Sequence, residues 1–425
     1  MTAPARGSSH RPSRAPDGPG RLLPPRLEDL RGHLARVGPV PYRGRPGALI
    51  ADIAAAGLTG RGGAAFPAHR KLEIVAAARG PKVAVANGAE GEPASRKDKT
   101  LLSAAPHLVL DGLQLAAEAV GATELYLYLH RGAMHAFDRA LCERAQCQLD
   151  LLPVTVAETP PRFLAGQESA VVNRLGGGPA VPLFTPPRVT ERGLNRRPTL
   201  VHNVETLAQM AMIARFGPRW FRALGTRGEP GTMLTTRYPA AGGCLVTEVP
   251  IGTPVATLLG SEPVQAWLVG GYHGTWLSPA AGLTLDNGSL RAVGGAVGAG
   301  VLAALPADRC GVAETARVAA YLAAESAGQC GPCLNGLPRI AAALAELAGT
   351  RPRPGARADV ERWASLVTGR GACGHPDGTV RFVGSALRVF APEFRHHERG
   401  RCSAAVGRPF LPLPNQVPVS DDDWT

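Results

Sequence analysis

Apolar positions along the chain change period several times, and those changes divide it. Residues 22–37 carry an amphipathic helical pattern. The run Lys82-Val83-Ala84-Val85-Ala86 has the length and β-branched content of a buried strand. It ends in a polar, glycine-rich loop, Asn87-Gly88-Ala89-Glu90-Gly91-Glu92-Pro93. Pro106 opens a helix running to Val120, and Leu125-Tyr126-Leu127-Tyr128-Leu129 reads as a second strand. Strand, loop, helix and strand make a βαβ unit, which implies a parallel sheet with helices on its faces. Ligands of such sheets sit beyond the carboxyl ends of the strands, where the 87–92 loop lies.

Further on, the texture changes twice. Between about 234 and 301 short strands alternate with glycine turns, at 244–249, 266–269 and 283–285, and predict a small β-rich domain. From 313 to 394 alanine- and leucine-rich helical periods follow. Residues 315–324, 337–347, 358–368 and 384–390 predict a bundle of four helices. The arginine-, proline-, serine- and glycine-rich first 27 residues, and residues 407–425, are expected to be tails.

Composition narrows the function. The formal charge of +12 invites a nucleic-acid reading. The arginines are scattered, however, the aromatics are few, and no helix carries a basic stripe, so nucleic acid is not expected as a partner. Four lysines stand against 42 arginines, and all four lie between Lys71 and Lys99. In such a background a local cluster points to a need for compact point charges there. No run approaches the roughly 20 apolar residues of a membrane helix, and the N-terminus has no apolar signal core. Eight unevenly spaced cysteines suit a reducing cytoplasm rather than a disulfide scaffold.

Two local patterns carry candidate chemistry. Gly60-Arg61-Gly62-Gly63 precedes a helical stretch ending near Ala78, and its bare amides favour an anion. It lacks the dinucleotide fingerprint spacing, and an ordinary glycine turn fits it as well. Cys330-Gly331-Pro332-Cys333, with Cys373 forty residues on, suits an iron–sulfur cluster or zinc better than a core. The pair sits at an expected helix start, where the dipole lowers thiol pKa.

Taken together, the motifs are specific. Gly60 to Pro67, Asn87 to Pro93, Lys97-Asp98, Gly166-Gln167-Glu168 and Pro198 to Leu207 stand in order, and Ser326 to Cys333 follow them. With Cys373, this series resembles the NADH-binding flavoprotein subunit of respiratory complex I and its hydrogenase-linked relatives, over roughly residues 46–395. The resemblance implies an α/β FMN-binding domain with a parallel sheet, a small β-grasp-like domain and a C-terminal helical bundle carrying the iron–sulfur motif. The corresponding boundaries are 1–45 for the tail and leading helix, 46–230, 231–303, 304–405, and 406–425 for the closing tail. It implies an NAD(P)H-dependent oxidoreductase that passes electrons through FMN to an iron–sulfur centre. A small iron–sulfur or ferredoxin-like protein would receive them, within a larger membrane-associated complex or free in the cytoplasm. A degenerate scaffold without cofactors is the alternative.

By the same resemblance, Gly60, Arg61, Gly62, Gly63 and Lys71 cradle FMN. Asn87 and Glu90 bond the flavin and its ribityl chain, and His202, Asn203 and Thr206 hold the phosphate end. Glu92 sits near the nicotinamide, with Glu168 as a second catalytic carboxylate beside Gly166, and Phe66 stacks on the dinucleotide. Cys330, Cys333 and Cys373 ligate a 4Fe-4S or 3Fe-4S cluster. The chain departs from the family at Ala327, where the first cluster cysteine is missing; Ser326, Cys310, Cys402 or water are the candidate replacements. It departs also at Ile74, Ala89, Phe163, Gln167, Thr185 and Arg188. These changes fall mostly on the dinucleotide face, so FMN binding is expected to be better retained than NADH binding, with weak NADH oxidation and a relaxed preference between NADH and NADPH.

Overall fold

A computed structural model describes residues 20–184, 186–349, 351–404, 409–414 and 424. The first sheet consists of β1 (Lys82–Gly88), β2 (Ala122–Leu129), β3 (Val154–Glu158) and β4 (Thr199–Asn203). Its order is β3-β2-β1-β4, and every pairing is parallel. The βαβ unit expected from the apolar runs is present. Register brings Asn87 of β1 level with Asn203 of β4, so two amide side chains share a row at the carboxyl edge.

The helix Pro106–Val120 crosses behind this sheet. Proline at its first position and left-handed Gly121 after its last mark both ends. It is buried almost all round because it lies between the sheet and the helix Val204–Phe221. At the crossing, a Cβ on Gly112 would stand 2.1 Å from the Leu207 carbonyl oxygen. Asp111, one residue earlier, pins the neighbouring helices. Its carboxylate takes a bond from Arg144 at 2.7 Å, pairs with His33 at 2.8 Å and meets Arg215. Burial alone would raise the Asp111 pKa, but Arg215, His33 and Arg144 hold it well below the usual range.

The second sheet contains β5 (Thr232–Tyr238), β6 (Leu245–Pro250), β7 (Val264–Val269), β8 (Thr275–Leu277) and β9 (Val301–Pro306). Its order is β6-β5-β9-β7-β8, with β5 and β9 parallel and the other pairs antiparallel. The strand expected at 283–285 does not form. Thr284 makes only an isolated bridge to Pro254.

The C-terminal region is helical, with Gly311–Ala324, Leu337–Ala348, Ala356–Val367, His375–Val389 and Ala391–Glu398. The expected helix at 384–390 is the second half of a longer one that starts at His375, and the fifth helix was not anticipated. Among the described residues no helix is long and apolar enough to cross a membrane.

Both tail expectations need correction where the residues are described. Residues 1–19 lie outside them, but Leu22 is fully buried and its amide donates to Glu248 Oε2 at 2.8 Å. The leading helix is confined to Leu30–Val37, after Pro24 and Pro25, because proline blocks helical continuity. Near the other end, the Phe410 and Leu411 amides donate to the Glu314 carboxylate, each at 3.0 Å. The Arg162 guanidinium lies 4.0 Å above the Trp424 ring.

Candidate functional site

A cavity of about 410 Å3 opens beyond the carboxyl ends of β1 and β4, within the 300–1,000 Å3 usual for small-molecule sites. One wall is built from Arg61, Gly62 and Gly63, the 87–92 loop, Gly166, Gln167 and Asn203. The opposite wall comes from the second sheet and the helical region, through His273, Gly298, Cys373, His375 and Arg381.

Close backbone contacts hold the first wall. A Cβ on Gly91 would lie 2.4 Å from the Phe163 carbonyl oxygen, and one on Gly166 would lie 2.8 Å from that of Ala89. Glycine lets the 87–92 loop pack directly on the 162–167 segment. Asn87 Nδ2 seals the seam by donating to Gly166 O at 2.8 Å. Gln167 caps the helix Glu168–Leu175, its Oε1 accepting from the Ser169 amide at 2.8 Å and the Ala170 amide at 3.1 Å.

A buried charge group forms the floor. Lys97 Nζ bonds Asp98 at 2.7 Å and Glu205 at 2.9 Å, and Asn203 Nδ2 donates to Asp98 Oδ2 at 2.7 Å. Burial works against the Lys97 ammonium, but Asp98 and Glu205 outweigh it, and the pKa is raised. Asn203 Oδ1 caps the helix Val204–Phe221 through the Glu205 amide at 3.0 Å. The Arg61 amide donates to Thr206 Oγ1 at 2.8 Å, and its buried guanidinium donates to Thr59 Oγ1 and Thr232 O.

The two loop glutamates differ. Glu90 accepts from Ser95 Oγ at 2.6 Å and from the Asp98 and Lys99 amides at 3.0 and 3.1 Å. These bonds commit its carboxylate to tying the loop onto the helix Lys97–Ala104. Glu92 accepts from the Tyr272 amide at 2.8 Å and the Ala94 amide at 3.2 Å. Burial pushes its carboxyl up to about 7, so it titrates near neutrality.

Two histidines face them. His375 Nε2 donates to the Leu322 carbonyl at 2.8 Å, which leaves Nδ1 as the acceptor of the 2.9 Å bond from His273 Nε2. Burial keeps both uncharged, with His375 pushed down to about 4 and His273 well below its usual value. The Phe163 ring stands edge-on to His273, with centroids 4.6 Å apart.

Several expected site residues do not line this cavity. Lys71 instead bonds Glu168 Oε2 at 3.0 Å and Val201 O at 3.1 Å. Beside it lies buried His202, whose pKa burial and Lys71 both depress. His202 Nε2 and Glu168 Oε1 are buried with no hydrogen-bond partner among the described residues. Phe66 is 40% exposed and Ile74 39% exposed, both on the outer surface. Gly60 supports the loop from behind, its amide donating to Phe66 O at 2.8 Å. Thr185 lies outside the described residues, and Arg188 is exposed.

Cys330, Cys333 and Cys373 come together as electrostatic neighbours, although the first two are 40 residues or more from the third. Cys333 lies in a π-helical turn, Pro332–Gly336, a distortion frequent at functional sites. The expected lowering of thiol pKa does not hold at Cys333. Burial first, then Cys330 and Cys373, push Cys333 up to about 12, against a bond from Ser326. Ala327 packs instead against the apolar group of Leu164, Ala165, Ala180 and Trp424. Cys310 is not beside this group. It caps the start of the helix Gly311–Ala324, whereas Ser326 follows its end, and 14 residues of helix span about 21 Å. Cys402 lies with Cys310.

Lys97, His273, His375 and Arg381 were not anticipated as site residues. Lys97 was visible as a member of the lysine cluster. The glycine-rich stretch around His273, directly after β7, was a signal of close backbone approach that periodicity alone passes over.

The residues fit a flavin phosphate. The cavity has the right size class, its nearest loop presents glycine backbone, Asn87 and Asn203 offer amides at its edge, and Arg61 and Lys97 border it. The three clustered thiols fit soft iron.

Comparison with known proteins agrees with this geometry. Residues 53–212 match the model of the Nuo51 FMN-binding domain, and residues 313–397 match the NADH-ubiquinone oxidoreductase-F iron–sulfur binding region. The F-subunit of NADH-quinone oxidoreductase from Streptomyces coelicolor is 30% identical, covering 86% of this chain and 85% of that one. Its Escherichia coli counterpart is 28% identical over 82% of this chain and 84% of its own length. A chain of a NAD+-reducing NiFe-hydrogenase superposes with a TM-score of 0.75 at 27% identity, covering 90% of this chain and 67% of that one. With the matching FMN-binding and iron–sulfur regions in the order found here, the chain belongs to the F-subunit family of NADH-quinone oxidoreductases.

Proposed function

We propose that this chain binds FMN in the cavity beyond β1 and β4 and delivers electrons from it to a centre held by Cys330, Cys333 and Cys373. As a member of its family the chain is an NADH-dependent oxidoreductase with FMN and an iron–sulfur centre as cofactors. The observation that carries the residue assignment is that one cavity is lined by the glycine loop and by Cys373. Bound FMN supplies the conversion between two-electron hydride chemistry and one-electron transfer. The protein's part is to hold and to orient. Gly62 and Gly63 give the phosphate bare amides, while Arg61 and Lys97, tied to Thr59, Thr232, Asp98 and Glu205, hold the loop and the floor in place. Asn87 and Asn203 fix the cavity edge, and Glu92 offers a carboxylate to the positive charge that would develop on the nicotinamide ring as hydride leaves. His273 and His375, uncharged and enclosed, line the cavity beside Cys373 without adding charge there.

Ser326 is the replacement ligand we favour at the iron–sulfur centre, since it lies near enough to Cys333 to favour its thiolate. The strand order β6-β5-β9-β7-β8, with its parallel central pair, supports reading the second sheet as β-grasp-like. The acceptor is a separate iron–sulfur protein, and the departures from the family at Ile74, Gln167, Thr185 and the exposed Arg188 weaken discrimination between NADH and NADPH.

Gly62→Val tests the cradle. A Cβ there would meet only Asn203 Cβ, at 3.5 Å, an ordinary contact. FMN affinity should fall at least about tenfold, the loss of roughly 1.4 kcal/mol, with unchanged melting temperature. FMN retained by the variant as tightly as by wild type would place the flavin elsewhere.

A further inference from the structure

Away from the cavity, at the opposite end of the helix Gly311–Ala324, four chemically coherent side chains converge. Cys310 caps that helix, Glu393 and His397 stand four residues apart on the helix Ala391–Glu398, and Cys402 follows it. One ligand atom from each lies within 4.8 Å of every other. Cys310 Sγ is 3.3 Å from His397 Nε2, and His397 Nε2 is 3.3 Å from Glu393 Oε1. Tetrahedral zinc with its usual bond lengths sets neighbouring ligand atoms about 3.3–3.8 Å apart.

We propose that Cys310, Glu393, His397 and Cys402 form a second metal site, separate from the iron–sulfur motif, that holds one zinc ion. Two sulfurs, one imidazole nitrogen and one carboxylate oxygen are a donor set that suits zinc and not the hard, all-oxygen cations. The surroundings orient the ligands. His397 Nδ1 lies 3.3 Å from the Gly349 carbonyl, which fixes the tautomer and turns Nε2 towards Cys310. Glu393 is held by the Ser403 amide at 2.9 Å and by the Ser403 hydroxyl. Glu393 and His397 are buried, whereas Cys402 is exposed, so an ion reaches the site from that side. Binding displaces the thiol protons of Cys310 and Cys402 to solvent, and no electrons move. The ion would fasten the start of the first bundle helix to the segment that leaves the last one. Its distance from Ser326, about 21 Å along the intervening helix, separates it from the iron–sulfur centre.

Zinc is measured in the full-length protein purified under reducing conditions, with cobalt substitution as the spectroscopic readout. The expected result is one zinc per chain and, with cobalt, thiolate-to-metal charge-transfer absorption. Cys402→Ser should weaken zinc binding at least about tenfold with iron and FMN content unchanged. Cys402 is exposed, so this variant keeps the fold, and circular dichroism checks that it does. Cys333→Ser should lose iron and keep zinc. The proposal is overturned if wild type takes up no zinc, or if Cys402→Ser retains it while Cys333→Ser loses it. A mass lower by two hydrogens, with Cys310 and Cys402 unreactive to thiol reagents, would overturn it too by showing a disulfide.

Discussion

Lys97 illustrates how a single charge can organise a floor and a ligand site together. It is buried between Asp98 and Glu205, and removing it strands two carboxylates away from water. Lys97→Met should destabilise the protein by about 3–5 kcal/mol, the range for breaking a buried ion pair, as measured by urea unfolding. It should also weaken FMN binding. Lys71 was expected to cradle the flavin, yet it faces Glu168 and Val201. Lys71→Ala should therefore cost FMN affinity less than Lys97→Met does, as measured by flavin titration of both variants. Glu92 carries a pH signature. Its folded pKa of about 7 lies above the ordinary 4.5, so its contribution to stability is complete below about pH 4.5 and disappears as pH rises through 7. In kinetics the sign reverses, because the carboxylate stabilises the positive charge developing on the nicotinamide during hydride transfer only when ionised. The profile of kcat/KM for NADH should fall as pH drops below 7, and Glu92→Gln should remove that limb; a limb that persists in the variant assigns it to another group. Residue types were legible where they stood in a motif, as with Asn87, Glu92 and Asn203. Lys97 and the two histidines were missed as site residues because their roles arise from partners far away in sequence.

Among the elements, the helix Pro106–Val120 was readable to both ends from proline, glycine and its apolar run. β1 and β2 were equally plain, since a buried parallel strand is a short apolar run bounded by turns. In the second sheet β6 and β7 were expected, at 244–249 and 266–269, but the other strands were not. Thr232–Tyr238 mixes threonine and arginine, and Thr235 and Thr236 are buried in pairing and packing that only the folded sheet supplies. Residues 283–285 have a strand's composition but lie beside a turn and form one bridge. The helix His375–Val389 was found only in its later half, because Pro376 and Gly378 disguise its start. Gly378 is required there, since a Cβ would meet His273 Cγ at 2.4 Å. The same logic makes Gly112 a test of helix packing. Replacing glycine by alanine in a helix gains about 1 kcal/mol of propensity. At this position the new Cβ meets Leu207 O at 2.1 Å, and forcing the helices apart costs about 1–3 kcal/mol. Gly112→Ala should lower the melting temperature, and a rise would show that the crossing is looser than described.

At the scale of the molecule, three regions meet around one cavity: the parallel α/β layer, the mixed sheet and the helical bundle. The order of parallel sheet, β-rich stretch and helices was readable from changes in periodicity, but their convergence was not, because bringing Cys373 and His375 to one cavity with Gly62, Gly63 and the 87–92 loop depends on how the layers pack. The absence of cysteine at 327 makes the metal centre the part of the site least like the family's motif. Ala327→Cys should raise iron retention if the loop keeps the family's geometry, and iron analysis after anaerobic desalting measures it; unchanged iron would mean that packing against Leu164 and Trp424 turns position 327 away. The central claim, that this cavity joins NADH oxidation to a nearby iron–sulfur centre, is tested most directly by anaerobic titration of the flavin- and iron-loaded protein with NADH, followed by absorbance and paramagnetic resonance. The account predicts flavin bleaching followed by a reduced-cluster signal, with Cys373→Ser bleaching but giving no such signal. Loaded protein whose flavin stays oxidised in excess NADH, or whose cluster is never reduced after the flavin, would contradict it.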